Sequence, residues 1–251
     1  MPPVQPLPNP NGYDDFVKAG QITADLAEYE YDKLNQEQLR KVAEKNAAAL
    51  SLVRNGFSNE CRVPIQFSQA YSENHLNDLA AFKRLAQALA AEGRLAEIES
   101  HPDAAAKSYL DAIHFGNEAT RGGVLIDALV GIAIEAIATS HLTNLVDKLD
   151  AKSCRVTAAR LETLDAQRQT WSEIMQQEHD WSRRTFTGLG YEIARLETRR
   201  SMEAAFKQSE NHIQQHVKET RQLMIDFAAR AYELDKGKAP TSVSRKSWRL
   251  R

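Results

Sequence analysis

The sequence predicts an all-α protein: a repeat-like antiparallel helical layer with a central buried helix, followed by a long helical hairpin or arm. Three observations lead there. The segment from Arg121 to Leu142, RGGVLIDALVGIAIEAIATSHL, is the one long stretch that is apolar on nearly every side, as a helix enclosed by others must be. Stripes of apolar residues recur at helical spacing before and after it. Glycine and proline interrupt those stripes at Gly56, Pro64, Pro102 and Gly116, where helices should begin or end. With 251 residues and 42% hydrophobic composition the chain can bury a real core in one or two domains.

Residues 1–12 hold five of the eight prolines and read as an extended arm, because proline fixes φ and removes backbone donors. No basic residue flanks these prolines, so a linker is favoured over a polyproline ligand. Residues 13–142 form the expected repeat-like domain. Tyr13 to Gly20 is a short helix capped by Asn11, with Asp14 and Asp15 in its first turn. Asn35 to Asn55 carries Leu39, Val42, Asn46, Leu50 and Val53 on one face and stops at Gly56. The connection after it packs Phe57, Ile65, Phe67 and Tyr71 onto the helices. A stripe of Leu76, Leu79, Phe82, Leu85 and Leu89 predicts the next helix, and Pro102 opens another through Ala105, Tyr109, Ala112 and Ile113, ended by Gly116.

In the central segment, Asp127, Gly131 and Glu135 fall four apart on one ridge, and Gly131 predicts a close helix crossing. Two acids argue against a membrane span, since each costs about 2.5–3.5 kcal/mol at the helix centre. Residues 143–236 are expected to be a helical arm. A connection follows Leu142, a helix from Val156 to Arg184 carries Leu161, Leu164, Arg168, Trp171, Ile174 and Trp181, and Gly188 and Gly190 mark a break. A last helix from Ser201 to Leu234 carries Phe206, Ile213, Val217, Met224, Phe227 and Ala231, so Trp171, Trp181 and Phe206 should pack the arm. Residues 237–251 are a basic tail around Trp248, read as a plain terminus rather than a lipid or nucleic-acid contact.

Ala105, Tyr109 and Ala112 match the small-aromatic-small spacing of the second helix of a tetratricopeptide repeat, and Ala86 with Gly93 loosely matches the first. The hairpin resembles that repeat, although no second copy is evident. The segments PLPNPNGYDDF, LRKVAEKNAAALSLVRNGFSNECRVP and RGGVLIDALVGIAIEAI resemble a group of uncharacterised bacterial helical proteins, over roughly the first 142 residues. That resemblance implies the helical fold and a cell-envelope location, with a membrane anchor upstream of the proline arm that is not in this chain. The location expected is therefore either cytoplasmic or the bacterial envelope.

Charge is nearly balanced, with a formal net charge of -2, so no global field favours nucleic acid. Cys61 and Cys154 are too few for a disulfide scaffold; one disulfide or two buried thiols fit equally. Candidate ligand-binding residues are Arg121, Asp127 and Glu135 on the central segment. Ion pairing of the two acids with a neighbouring-helix cation such as Arg84 or Arg94 is preferred to catalysis. Arg121-Gly122-Gly123 could offer amides to an anion, but no strand precedes it and the glycines better suit a tight helix start. His212 and His216 stand four apart without a third ligand, so a solvent-facing pair is expected and no metal or cofactor. No motif supplies a nucleophile, base and oxyanion site together. The expected function is a non-catalytic protein-protein interaction or scaffolding module, with a protein partner or self-association; a small-ligand or hydrolytic role for the acidic ridge is the alternative.

Overall fold

The computed structural model describes residues 6–24, 33–186 and 189–238, leaving aside the side chains of 69–73 and 189–200. The described residues form eight helices and no strand: α1 (Gly12–Ile22), α2 (Gln36–Gly56), α3 (Gln69–Ile98), α4 (Pro102–Glu118), α5 (Leu125–Thr143), α6 (Ala151–Ala166), α7 (Trp171–Thr185) and α8 (Leu189–Lys236). Residues 1–5 of the proline arm, Tyr71, the Gly188–Gly190 break and the basic end around Trp248 lie wholly or in their side chains outside the described residues.

The NPNGYDDF stretch starts the fold by stapling α1 to the end of α2. The Asn11 side chain accepts from the backbone N–H of Tyr13 (3.2 Å) and of Arg62 (2.9 Å), and donates back to the Arg62 carbonyl (2.8 Å). Gly12 then lies against the last turn of α2, so close that a Cβ there would sit 2.3 Å from the Gly56 carbonyl oxygen and 2.5 Å from Cys61 Sγ. Only that approach lets Phe16 reach the aromatic centre, where it meets Phe57, Phe82 and Phe115 edge-on. The exit of α1 is tied down by buried Asn46, whose side-chain oxygen accepts from Thr23 Oγ1 and the Ala24 amide.

α2, α3 and α4 stack in order, and α4 packs extensively on α5. Tyr109 fills the space a side chain at position 93 would need, its ring 2.4 Å from a Cβ built on Gly93, and its hydroxyl donates to Glu97 (2.6 Å). Arg54 on α2 clamps Glu92 of α3 (2.5 Å) and Asp111 of α4 (2.8 Å). Gly116 does not end α4, which runs on to Glu118; the residue serves contact rather than termination.

Beyond α5, residues 144–150 are a turn, the expected connection, and the helices after it pack on the core. Leu145 and Leu149 are buried, Asp150 caps α6 through the Ser153 amide (2.7 Å), and α6 packs on α4. The single helix expected from Val156 to Arg184 is two, because Thr170 and Glu173 form a capping box that starts α7 afresh. α8 is about 72 Å long at 1.5 Å per residue and lays Leu223, Met224, Phe227, Ala228 and Ala231 on α6. One core cluster thereby runs from Tyr13 to Ala231. Trp181 is not spent on α8: its indole N–H donates to the Gln66 carbonyl (3.1 Å) and its ring meets Phe186. Both cysteines are buried free thiols.

The staple leaves no room at position 12, so Gly12→Ala is expected to destabilise the protein by about 1–3 kcal/mol, measured as a lower urea midpoint with an unchanged m-value.

Candidate functional site

α5 is the element to which the predicted site residues belong, and its rotation decides what each can do. At 100° per residue, Asp127, Gly131, Ile134, Glu135, Ala138, His141 and Leu142 occupy one arc, and all of them are buried. Leu125, Ile126, Leu129, Ile132, Ala133, Ala136 and Ser140 occupy the opposite arc and are exposed or half-buried, Ile126 to 42%. The helix therefore turns its ionisable side inward and an uncharged, mostly apolar side outward, the reverse of an ordinary amphipathic helix. The expectation of a helix buried all round is corrected accordingly. By length and composition α5 alone among the described helices could cross a membrane, with a mean hydropathy of 1.6, yet its three ionisable residues all face protein.

The ridge makes the predicted close crossing. A Cβ on Gly131 would lie 2.9 Å from the Gly116 carbonyl oxygen and one on Gly116 would lie 2.8 Å from that of Gly131, so α4 and α5 touch backbone to backbone. On either side of the crossing each acid finds its own partners, and neither Arg84 nor Arg94 is among them. Asp127 Oδ1 accepts from His75 Nε2 on α3 (2.5 Å), and Oδ2 accepts from the Val124 amide (2.8 Å). Since a carboxylate only accepts, Nε2 carries the proton, and the other ring nitrogen stands 3.5 Å from the Tyr13 hydroxyl. A polar relay thus links Tyr13, His75 and Asp127, the last two only 4% and 1% exposed in their side chains.

Glu135 is met by Arg168 in a two-pronged pair, Nη1 to Oε1 at 2.7 Å and Nη2 to Oε2 at 2.6 Å, while His216 Nε2 donates to Oε2 at 3.0 Å. Burial opposes the charged form of Glu135, but Arg168 and His216 more than offset it and hold the carboxyl below its ordinary range. His212 is exposed and His216 buried, so the two do not act as a solvent-facing pair. Beside Glu135 lies a cavity of about 30 Å³, bounded by Asn117, Thr120, Gly131 and Arg168; that is room for a water molecule or two, not for a metabolite.

Arg121 joins neither acid. Its guanidinium pairs with Glu118 through Nε to Oε2 (3.0 Å) and Nη2 to Oε1, and Nη1 donates to the Gln167 carbonyl (3.2 Å). The adjoining amides are spoken for: Gly122 N–H donates to the Gln169 side chain (2.9 Å) and Gly123 N–H to Thr120 O (3.1 Å). Gly122 has φ +74°, a left-handed turn natural to glycine. The loop is a helix start, and Arg121, Asp127 and Glu135 share no single cavity.

A larger space lies on the other side of His75. A cleft of about 510 Å³ opens between α1, α3 and the loop before α3, with Tyr13, Asp14, Val17 and Lys18 on one wall and His75 and Asp78 on another. Among the described residues no group of three His, Cys, Asp or Glu is placed to hold a metal ion. Sequence reasoning missed His75, Arg168 and His216 as partners; the only signal for them was that two buried acids on one helix need cations from elsewhere. No family model, curated protein or solved structure matches the chain.

Replacing Arg168 by Met leaves Glu135 buried without its counter-charge, and we expect a loss of about 3–5 kcal/mol in chemical denaturation, part of which Glu135→Gln in the same chain restores. A second expectation concerns pH. Burial, followed by the nearby Arg160, depresses His114 from 6.5 to about 4, so folding favours its neutral ring. That contribution is complete above pH 6.5 and lost as pH falls toward 4. Burial pushes the Cys61 thiol from 9.0 up to about 12, a contribution lost as pH rises above 9. Stability measured against pH should show a plateau between these limits, with His114→Gln flattening the upper part of its acid side.

Proposed function

We propose that this chain is a non-catalytic protein-interaction module, that the outward face of α5 is its contact surface, and that its first partner is a second copy of itself. The observation carrying this reading is the order of side chains on that face. About a centre between Ile132 and Ala133, an antiparallel copy sets Leu125 against Ser140, Leu129 against Ala136 and Ile132 against Ala133. Each of these three pairs sets a large side chain against a small one, as a two-fold self-complementary contact requires. No charged residue interrupts the face between Leu125 and Thr143, because Asp127, Glu135 and His141 are all turned inward, and uncharged, apolar centres mark protein contacts.

The engagement of the ridge supports the same reading. Asp127 and Glu135 are each hydrogen-bonded on both oxygens, which favours a structural role over hydrolysis. The stacked α2, α3 and α4, with the repeat-like Gly93 and Tyr109 contact, agree with a scaffold of the kind that presents surfaces rather than performs chemistry.

The test is mass in solution with a register control. The unaltered chain of 28.2 kDa should sediment as a dimer at micromolar concentration. Leu129→Glu should yield the monomer with an unchanged circular-dichroism melt, and adding Ala136→Lys to the same chain should restore the dimer by pairing the two new charges across the two-fold. A monomeric unaltered chain, or a dimer indifferent to Leu129→Glu, would overturn the proposal.

A further inference from the structure

We infer that the cleft between α1 and α3 is a binding site for a small organic cation, a primary ammonium or guanidinium on a short apolar body. Its volume of about 510 Å³ falls within the range of small-molecule sites, roughly 300–1,000 Å³, whereas the cavity beside Glu135 does not. Two carboxylates line it, Asp14 at its mouth and half-buried Asp78 on α3.

Neither has a hydrogen bond or an ion pair among the described residues. Among the described lining residues the one lysine or arginine, Lys18, is turned to Asp15, with Nζ 3.3 Å from Oδ1. Burial raises the Asp78 carboxyl above its ordinary range, with His75 the neighbour that opposes the rise; an arriving cation would offset that cost.

The remaining wall is built rather than incidental. Tyr13 and His75 are buried, and His75 is held from behind by Asp127, itself fixed by the Val124 amide. Burying a Tyr–His–Asp relay costs free energy that an apolar trio would not, and it sets a rigid polar floor one helical turn from Asp78. Val17 and Pro64 supply apolar contact for the body of the ligand. An anion would meet two unscreened carboxylates, and a neutral sugar would leave Asp78 unpaired, so a cation is the class the lining selects.

The site is separate from the outward face of α5, and its test is arranged to be independent of dimerisation. Titration calorimetry of the full chain with agmatine, which carries an ammonium and a guanidinium, should give saturable binding of one molecule per chain. Asp78→Asn should weaken it by about ten- to hundredfold, the range for losing a charged hydrogen bond. Leu129→Glu should leave it unchanged. A thermal melt shows whether Asp78→Asn still folds, and Asp14→Asn, on an exposed side chain, gives a second and smaller loss. Absence of saturable heat in the low-millimolar range, equal binding by Asp78→Asn, or equal binding of an uncharged analogue such as 1,4-butanediol would overturn the inference.

Discussion

A carboxylate can be enclosed by protein only if cations or donors are enclosed with it, and α5 carries two. Glu135 brings Arg168 from the turn between α6 and α7 and His216 from α8 to one point, so three distant parts of the chain are fixed by one side chain. Asp127 does the same for α3 and, through His75, for α1. The pairs need not add much net stability, since desolvation consumes most of what the Coulomb attraction returns. Their contribution is to specificity: any rotation of α5 that buried its aliphatic side instead would strand Arg168, His75 and His216. The outward apolar face follows from the inward charged one.

Several parts of this arrangement were legible in the residues. Asn11, Asn35 and Pro102 mark helix starts and the structure begins helices there, while Gly131 announced a close crossing that α4 supplies. The rotation of α5 was not legible. Periodicity assigns a buried side when one side of a helix is polar, and here apolar residues surround the ridge. What decides the question is the origin of the partners of the two acids, 33, 52 and 81 residues away along the chain. Neither Arg84 nor Arg94, the cations the sequence offered, meets either acid; Arg168 and the two histidines take their place. The split between α6 and α7 could have been read from Thr170 and Glu173, a capping-box pair lying inside an otherwise continuous stripe.

The N-terminal stretch shows how much one short motif can determine. Asn11 and Gly12 place α1 against α2 and the loop that follows it, and α1 in turn brings Tyr13 to His75 and Asp14 to the cleft. The staple, the cleft wall and the inward ridge of α5 are successive links of one chain of contacts. The staple borders the cleft directly, whereas α6 and α8 are joined to the core through α4, α5 and Glu135.

The two thiols happen to sit at opposite ends of that chain. Cys61 is sealed between Gly12 and Gly56, and Cys154 lies beneath the buried stripe of α8 with its thiol held toward the Val146 and Leu149 carbonyls. Neither sulfur meets solvent unless its own layer parts, and each is held in the unreactive thiol form by burial, up to about 12 and about 11 respectively. Modification by an external reagent would thus act as a pair of independent clocks, one timing excursions of the amino-terminal staple and the other the lifting of α8. The molecule carries, in its native composition, the means to tell whether it breathes as one body or in two.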